Sequence, residues 1–337
     1  MRASSTAASD LPSLVMLNAG RINFDGKLDF SPLEKLANIT QYDTTSEEQI
    51  IERVQGHDIV LNKEMPLPSH IVNSFPPSVK LISELGTGYN NISTSSCTSK
   101  SISVNSLPTY ATSAMSQQVI TSILALSSSL HTQIISLTKN DRTYMSQCHL
   151  GPLPHSEVSS KTLGLIGGLG TIGTSVTKTA QSMGMNVIST SSSKPVGHST
   201  DIGVEVVDVE RLFKESDYVS IHCPLNKDTE GMVGKRLIEM MKPTAFLINT
   251  SRGPILNSED LIDCLKRGVI AGAALDVYGE GSAPPPALEE GSGLWGMEKV
   301  ILTPHIGWQR LETRQRIVDM TAEGIVMWRE EGKGNVC

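Results

Sequence analysis

Short apolar runs alternate with amphipathic segments along most of the chain. In the first part, apolar runs at residues 14–17, 59–61 and 81–83 are separated by helix-like segments such as residues 47–55. From residue 162 to about residue 308 the alternation becomes regular. Strands that alternate with helices in this way predict βαβ units around a parallel sheet, and therefore an α/β fold.

The remaining segments carry weaker patterns. Apolar residues at helical spacing predict one helix over residues 114–130 and a final amphipathic helix over residues 311–329, which could return to pack on the first domain. Residues 131–161 are polar, and an irregular segment is predicted there. Residues 93–103 are crowded with serine and threonine, which are poor helix formers in a helix interior.

Composition narrows the class of protein. With 337 residues, 39% hydrophobic and 19% charged, the chain is an ordinary globular sequence that is long enough for two domains. Its net charge of -7 argues against nucleic-acid binding, which needs a basic face. The longest apolar stretches are interrupted well before the roughly 20 residues of a membrane span, so no membrane association is expected.

The cysteines and the first residues bear on location. Five cysteines, an odd number without a CxxC pair, are present: Cys97, Cys148, Cys223, Cys264 and Cys337. This pattern favours free thiols in a reducing compartment, so a cytoplasmic location is predicted. Residues 1–12 are rich in serine and alanine and lead into no apolar stretch with a cleavage site. We interpret them as a loose tail, with a weak organellar signal as the alternative.

Three successive strand-like runs end in residues suited to acid–base chemistry. Residues 246–250 lead to Arg252, residues 270–275 lead to Asp276 and Glu280, and residues 300–303 lead to His305. In an open α/β sheet, ligands bind in the crevice at the carboxyl ends of the strands. An active site formed by these strand ends is therefore the leading hypothesis.

A glycine-rich loop follows the strand-like run at residues 162–166. Gly168-Leu169-Gly170-Thr171-Ile172-Gly173 precedes a helix-like stretch at residues 174–183. In a GxGxxG loop the first glycine permits a tight turn, the second lets the backbone approach a pyrophosphate and the third packs helix on strand. We predict that residues 168–172 bind a dinucleotide, and a purely structural glycine turn is the alternative. Gly167 adds a further glycine and a second register, and we take Gly168 as the first motif glycine.

The next strand bears on the choice of cofactor. Residues 186–189 end in Thr190-Ser191-Ser192-Ser193-Lys194, without the Asp or Glu that usually binds the ribose 2′-hydroxyl of NAD. Nothing in this turn repels a 2′-phosphate, and Lys194 and the hydroxyls, Ser191 among them, could contact one. NADP(H) is therefore slightly favoured over NAD(H), and a solvent-facing turn that is indifferent to the cofactor is the alternative.

Five further motifs occur in order around this loop. They are LISELGTGYNN at residues 81–91, SDYVSIHCPL at 216–225, NTSRGP at 249–254, ALDVY at 274–278 and LTPHIGW at 302–308. Together they resemble the D-isomer-specific 2-hydroxyacid dehydrogenases, and the resemblance covers residues 14–328. Residues 109–112 with Gln117, and Trp308 after His305, look closest to the glycerate dehydrogenase/hydroxypyruvate reductase branch.

The resemblance implies two Rossmann-like domains with a cleft between them. A flavodoxin-like substrate-binding domain would be discontinuous, with residues 1–115 and 309–337, and an NAD(P)-binding Rossmann domain would comprise residues 116–308. A homodimer formed through the Rossmann domain is also implied. The implied reaction is the NAD(P)H-dependent reduction of a small 2-keto acid, hydroxypyruvate or glyoxylate, to the D-2-hydroxy acid.

The resemblance assigns catalytic roles to Arg252 and His305. Arg252 would bind the substrate carboxylate and the C2 oxygen, for which a planar guanidinium is well matched. His305 would protonate the C2 oxygen, or deprotonate it in reverse, as an ordinary pKa of about 6.5 allows. Purely structural roles are the alternatives for both residues.

A carboxylate partner for the histidine is also implied. The family places a Glu five residues after the Asp of the Leu-Asp-Val motif, where this chain has Gly281. We predict that Glu280, one residue earlier, reaches His305 across a shorter loop. The alternative is that the partner is missing, in which case proton transfer would be slower but not abolished.

Other implied assignments concern the cofactor and the substrate. Cofactor contacts are implied for Cys223, Pro224, Thr229, Thr250 and Asp276. Asp276 would lie by the nicotinamide carboxamide, and a structural cap of a loop is the alternative. The backbone N–H groups of Thr87 and Gly88 would complete the site for the substrate carboxylate. No metal site is implied.

Two other functions stay open. A redox-sensing corepressor that keeps the nucleotide fold but has lost efficient catalysis is favoured by the extra Gly167, the displaced Glu280 and the serine-rich residues 93–103. Formate oxidation uses a Gln beside the histidine, and it is disfavoured because neither residue 280 nor residue 281 is a Gln.

Overall fold

The computed structural model describes residues 11–151, 153–279 and 293–337. The chain divides into two compact units, unit 1 with Met1–Ala111 and Gln309–Cys337, and unit 2 with Thr112–Trp308. Each unit contains one sheet in which all paired strands are parallel. The predicted α/β fold with two Rossmann-like sheets is therefore confirmed.

The described residues of unit 1 form five strands and five α-helices. The strands are β1 (Ser13–Met16), β2 (Asn38–Gln41), β3 (Ile59–Asn62), β4 (Leu81–Glu84) and β5 (Ser103–Asn105). The helices are α1 (Ser31–Glu34), α2 (Glu47–Arg53), α3 (Ser69–Asn73), α4 (Thr94–Ser99) and α12 (Leu311–Glu331). The strand order is β2-β1-β3-β4-β5, the flavodoxin-like order, which reverses direction between β1 and β3.

Burial and one ion pair explain how unit 1 is built from two parts of the chain. β3 and β4 are buried at every position, as expected for central strands of a parallel sheet covered on both faces. Arg314 of α12 is 2% exposed, and its Nη2 lies 2.7 Å from Oδ2 of Asp25. Ile317 and Ile325 of the same helix are fully buried. The last helix is therefore part of the core of unit 1.

Seven strands and seven α-helices occur in the part of unit 2 that the structure describes. The strands are β6 (Thr162–Ile166), β7 (Asn186–Thr190), β8 (Glu205–Val206), β9 (Tyr218–Ile221), β10 (Phe246–Asn249), β11 (Gly272–Leu275) and β12 (Val300–Leu302). The helices are α5 (Thr112–Ser127), α6 (Leu130–Thr138), α7 (Thr143–Gln147), α8 (Thr171–Ser182), α9 (Val209–Glu215), α10 (Lys235–Ile238) and α11 (Ser258–Arg267). The order β12-β11-β10-β9-β6-β7-β8 is that of a doubly wound Rossmann sheet, which reverses direction between β6 and β9.

Helices occupy two segments where the sequence pattern did not predict them. The polar residues 131–161 contain most of α6 and all of α7, and the serine-rich residues 93–103 contain α4. In α4 the hydroxyl of Thr98 donates to the carbonyl oxygen of Thr94, so the polar side chain bonds within its own helix. Low helix propensity is a weak prior that local bonding and packing override.

The single helix predicted over residues 114–130 is wrong at its C-terminal end. α5 ends at Ser127, and Ser129 has left-handed backbone with φ 51° before α6 begins. The Ser129 hydroxyl donates to the carbonyl oxygen of Pro154, which holds the break. No single helix of the described residues is long and apolar enough to cross a membrane, and α5 and α6 reach that length and composition only as a pair bent by 66°.

Candidate active site

Three polar strand ends lie side by side at the carboxyl edge of the unit 2 sheet. β10, β11 and β12 are neighbours in this sheet and run parallel. Arg252, Asp276 and His305 follow these three strands in turn. The residues that the sequence pattern selected therefore belong to one edge of one sheet, which is the edge where α/β sheets bind ligands.

The turn after β10 fixes the backbone of Arg252. Asn249 is fully buried, and its Nδ2 donates to the carbonyl oxygen of Arg252 at 2.9 Å while its Oδ1 accepts the Ser251 N–H at 3.0 Å. Gly253 must be glycine, because a Cβ there would lie 2.3 Å from the carbonyl oxygen of Gly279. The partly buried guanidinium uses Nη1 to donate to the Ser251 carbonyl oxygen. A guanidinium has five N–H donors, so this bond is compatible with an anionic ligand.

His305 lies in an unusual backbone conformation that its neighbours enforce. Its φ is 54°, in the left-handed region that few residue types other than glycine adopt and in which His is enriched. The buried carboxylate of Asp276 accepts hydrogen bonds from the Thr303 hydroxyl, from the Ile306 N–H at 3.0 Å and from the Gly307 N–H at 2.9 Å. These bonds hold the His305 turn, and backbone strain of this kind clusters at functional sites.

Asp276 therefore has a structural role in unit 2. The N–H of His305 also donates to the Asp276 carbonyl oxygen, so backbone and side chain together anchor the turn. Burial is the main cause, and the negative charge of Asp276 the second, that raises the pKa of Tyr278 to about 12. The Tyr278 hydroxyl is therefore protonated, and it donates to the Thr303 carbonyl oxygen at 3.3 Å. The loop-capping alternative for Asp276 is supported, whereas its contact with a nicotinamide stays a prediction.

The glycine loop after β6 uses four glycines instead of three. Gly167 takes the left-handed φ of 78°, and a Cβ there would lie 3.0 Å from the Cα of Cys223. A Cβ at Gly168 would lie 2.4 Å from the Cβ of Leu165, and one at Gly173 would lie 2.3 Å from the Gly168 carbonyl oxygen. Gly167 therefore supplies the left-handed residue of the turn, and the tight-turn role assigned to its neighbour Gly168 stays a prediction. The close contacts of Gly168 with Leu165 and of Gly173 with Gly168 leave no room for a side chain at either position.

The N-terminus of α8 suits the phosphates of a dinucleotide. Gly170 is the N-cap and has no side chain to bond the N–H groups of the first turn. A Cβ on Gly170 would meet no atom nearer than the Gly167 carbonyl oxygen at 3.8 Å, so the backbone is approachable. Gly170 and Thr171 are exposed, while Leu169 and Ile172 are partly buried. The free N–H groups and the partial positive charge at the start of a helix suit a pyrophosphate. The loop therefore fits the phosphates of a nicotinamide dinucleotide.

The end of β7 is tied to the glycine loop and then turns outward. Ser189 and Thr190 accept N–H groups of the glycine loop through their hydroxyl oxygens, at 3.0 and 3.2 Å. Beyond them, the Ser191 hydroxyl oxygen accepts the N–H groups of Ser193 and Lys194, both at 3.1 Å. The turn thus presents hydroxyls and one exposed ammonium, and its residues 190–194 include no carboxylate.

The loop after β9 approaches the glycine loop at the reversal of strand order. Burial lowers the pKa of His222 to about 4 and raises that of the Cys223 thiol to about 11, so both are neutral near pH 7. The Ser251 hydroxyl donates to the Cys223 carbonyl oxygen at 2.6 Å, and the Thr229 hydroxyl donates to the Pro224 carbonyl oxygen at 2.7 Å. Because a protonated thiol is a poor nucleophile, Cys223 contributes backbone and shape.

The other assigned residues lie at several places. Thr250 is 8% exposed, directly after β10. Thr87 and Gly88 belong to the turn after β4 in unit 1, where the Thr87 hydroxyl donates to the Leu107 carbonyl oxygen at 2.9 Å. Glu280 lies outside the described residues, so its contact with His305 stays a prediction.

Sequence reasoning did not identify several residues that shape this edge. Asn249, Gly253 and Gly307 are the main examples, and a Cβ on Gly307 would lie 2.9 Å from Oδ2 of Asp276. Their signals were present but weak: a polar residue that ends a buried apolar strand, and glycines one and two residues after Arg252 and His305. Their roles depend on contacts between loops that are distant in sequence.

The comparisons with known proteins agree with this geometry. A sequence model described as "D-isomer specific 2-hydroxyacid dehydrogenase, NAD binding domain" matches residues 120–307. A hydroxypyruvate reductase of Blautia hydrogenotrophica is 32% identical over 317 residues, which cover 93% of this chain and 95% of that protein. A glyoxylate reductase of Thermococcus litoralis is 35% identical over 252 residues, 74% of each chain. The solved structure of an acyclic imino acid reductase, Bsp5, in complex with NADPH and D-Arg is 26% identical, with a TM-score of 0.79 and coverage of 94% of this chain and 97% of that one.

These matches confirm the family inferred from the motifs. The family model spans more than half of the chain, and the Blautia relative matches almost all of it. The matched NAD-binding domain also confirms a nicotinamide cofactor in general terms. The chain therefore belongs to the D-isomer specific 2-hydroxyacid dehydrogenase family, and it is an oxidoreductase that acts on CH–OH groups with NAD or NADP.

Proposed function

We propose that this protein reduces a small 2-keto acid, hydroxypyruvate or glyoxylate, to the D-2-hydroxy acid. The observation that carries the proposal is the pair formed by Arg252 and His305 at one edge of one sheet, with His305 held in left-handed backbone by Asp276. Two relatives, a hydroxypyruvate reductase and a glyoxylate reductase, support this substrate class.

The two side chains have complementary tasks. Arg252 binds the substrate carboxylate and the C2 oxygen through charge-assisted hydrogen bonds. His305 donates a proton to the C2 oxygen during reduction and removes it during oxidation. Glu280, if it reaches His305, stabilises the protonated imidazole. The backbone N–H groups of Thr87 and Gly88 bind the substrate carboxylate.

The cofactor is held by the carboxyl edge of the unit 2 sheet. Residues 168–172 bind the phosphates, and the loop with Cys223, Pro224 and Thr229 lines the site together with Thr250. Asp276 holds the His305 turn and contacts the carboxamide. When bound, the nicotinamide supplies the hydride that C2 receives.

Turnover tests the proposal directly. The purified protein is mixed with NADPH or NADH and with hydroxypyruvate or glyoxylate, and the absorbance of the reduced cofactor is followed. Loss of absorbance together with formation of the D-acid is the expected result. Tight binding of NADPH without turnover of either acid would instead favour the corepressor-like alternative.

We infer a slight preference for NADPH over NADH from the turn after β7. This turn has hydroxyls and the exposed Lys194 but no carboxylate in residues 190–194. Ser191→Asp is expected to shift the ratio of kcat/KM for NADH to that for NADPH by about tenfold toward NADH, because a carboxylate accepts the 2′-hydroxyl and repels the 2′-phosphate. Ser191→Asn is the matched control, since it has similar size and no charge. Equal ratios for both variants and the wild type would show that the turn does not read the ribose.

We also propose a homodimer formed through unit 2. Leu130, Ile134 and Leu137 follow helical spacing on α6 and are about half exposed. Apolar faces of this kind usually mark interaction surfaces. Light scattering is expected to give twice the chain mass of 36.3 kDa for the wild type and the chain mass for Ile134→Glu. Met327→Glu, which changes an exposed apolar residue of unit 1, should leave the mass unchanged.

The cysteines support a reducing compartment such as the cytoplasm. Cys97, Cys148, Cys223, Cys264 and Cys337 all have free thiols in the structure. Disulfides are rare where glutathione and thioredoxin keep thiols reduced.

A further inference from the structure

A buried pair of opposite charges lies at the carboxyl ends of β3 and β4 in unit 1. Glu84 is the last residue of β4 and is fully buried, and Lys63, directly after β3, is 1% exposed. Charged side chains are almost never buried to this extent unless they are paired. β3 and β4 are neighbours, and both residues lie at the carboxyl edge of the sheet.

Glu84 accepts three hydrogen bonds from its surroundings. Its Oε2 accepts from Nδ2 of Asn62 at 2.8 Å and from Nδ2 of Asn91 at 2.9 Å. Its Oε1 accepts the backbone N–H of Glu64 at 2.9 Å. Asn91 belongs to the turn that follows β4, and it also donates to the carbonyl oxygen of Met65. The Glu84 carboxylate thus links the residues at the end of β3 to Asn91, in the turn that follows β4.

Lys63 lies against the same turn, the one that follows β4. Its Nζ lies 2.8 Å from Oε1 of Glu64 and 5.6 Å from the ring centre of Tyr110. A Cβ on Gly86 would lie 3.3 Å from this ammonium and 3.5 Å from Oε1 of Glu84. The backbone of the turn therefore rests against both charged groups at the residue just before Thr87.

Burial and neighbouring groups shift the pKa values of Glu84 and Lys63 in opposite directions. Burial raises the pKa of Glu84 to about 7, while Lys63 and the hydrogen bond from Asn91 lower it. Burial lowers the pKa of Lys63, but the carboxylates of Glu64 and Glu84 and the hydroxyl of Tyr110 raise it above its usual value on balance. Arg21 in turn pairs with Glu64 at 2.9 Å. Buried charges of this kind cost stability, and one accepted reason to retain them is that they select a single arrangement.

We propose that Glu84 is a positioning residue that, together with Lys63, fixes the turn carrying Thr87 and Gly88 and so sets the binding of the substrate carboxylate. The inference rests on the proposed function, since it assigns the support of a substrate loop. Binding through backbone N–H groups depends on turn geometry, because a shift of about 1 Å away from the productive position can cost 10²-fold in rate.

Steady-state kinetics of Glu84→Gln test the proposal. The substitution keeps the shape but places an amide donor among three donors, so at least one of the three hydrogen bonds that hold the turn against the end of β3 is lost. The KM for the keto acid is expected to rise about tenfold or more, with kcat within about twofold of the wild type and an unchanged Kd for NADPH. A purely structural role would lower stability without this split between KM and kcat.

Asp58→Asn is the matched control. Asp58 directly precedes β3, and its carboxylate accepts the Ser13 N–H at 2.8 Å at the opposite edge of the same sheet. Its KM should equal that of the wild type. Equal KM values for Glu84→Gln and the wild type would overturn the proposal.

A second variant covers the case in which Glu84→Gln does not fold. Asn91→Ala removes a partly exposed side chain and one bond to Glu84, and it is expected to raise the KM several-fold. An unchanged KM for Asn91→Ala would also overturn the proposal. A wild type that turns over keto acid while neither variant changes the KM refutes the positioning role alone, whereas a wild type without turnover refutes the proposed function and this inference with it.

Discussion

Replacement of His305 by asparagine is expected to lower kcat/KM for keto acid reduction by about 10³-fold, in the middle of the range for general acid–base catalysis. Asparagine adopts left-handed backbone readily, as histidine does, so the turn at φ 54° is preserved. The three hydrogen bonds that the Asp276 carboxylate accepts do not involve the imidazole and also remain. The variant therefore removes the proton donor and leaves the backbone turn at residue 305 unchanged.

Stopped-flow or steady-state absorbance of the reduced cofactor measures this effect. His155→Asn is the matched control, because His155 is exposed in the same unit and is expected to leave kcat/KM unchanged. An unchanged melting temperature for both variants would separate chemistry from folding. Activity of His305→Asn within tenfold of the wild type would contradict the role of the imidazole.

Replacement of Arg252 is expected to lower kcat/KM to a comparable extent, because the substrate binds less tightly. Arg252→Ala should lower kcat/KM by roughly 10³-fold, since two charge-assisted hydrogen bonds of about 2 kcal/mol each are lost. Arg252→Lys keeps the charge but not the planar pair of donors, so it should recover only part of the loss. The turn itself should survive both changes, because Asn249 bonds the backbone of residue 252 and not its side chain.

Kinetics with two cofactor concentrations distinguish this effect from a loss of cofactor binding. The KM for the keto acid should rise steeply in Arg252→Ala, while the Kd for NADPH stays close to that of the wild type. Arg236→Ala is the control, because this exposed arginine pairs with Glu210 on the surface of unit 2. Full activity of Arg252→Ala would remove Arg252 from the site.

The parts of the site that the sequence predicted are those encoded within a few neighbouring residues. Apolar runs predicted β6, β10, β11 and β12, because a buried parallel strand must be apolar on both faces. The residues after these strands could then be assigned to one edge without knowledge of any distance. The glycine loop was predictable for the same reason, since its turn and its helix start are local features.

The remaining features depend on contacts between distant parts of the chain. Nothing local to Gly167 distinguishes it from Gly168; the close approach of Cys223 does so. The left-handed backbone of His305 is held by Asp276, which follows a different strand, β11. Glu84 directly follows the apolar run predicted at residues 81–83, and only its contacts with Asn62 and Asn91 show why a carboxylate is tolerated in β4.

Because unit 1 includes the helix α12, the two units become complete at different times during protein synthesis. Unit 2 is one continuous stretch, whereas unit 1 needs α12, which leaves the ribosome after all of unit 2. Until then Asp25 lacks the guanidinium of Arg314, and the surface that Ile317 and Ile325 cover is open. Because domains tend to fold as units while the chain emerges, unit 2 can mature before unit 1 is complete. A stop codon between unit 2 and α12 would therefore damage unit 1, although most of unit 1 is synthesised before unit 2.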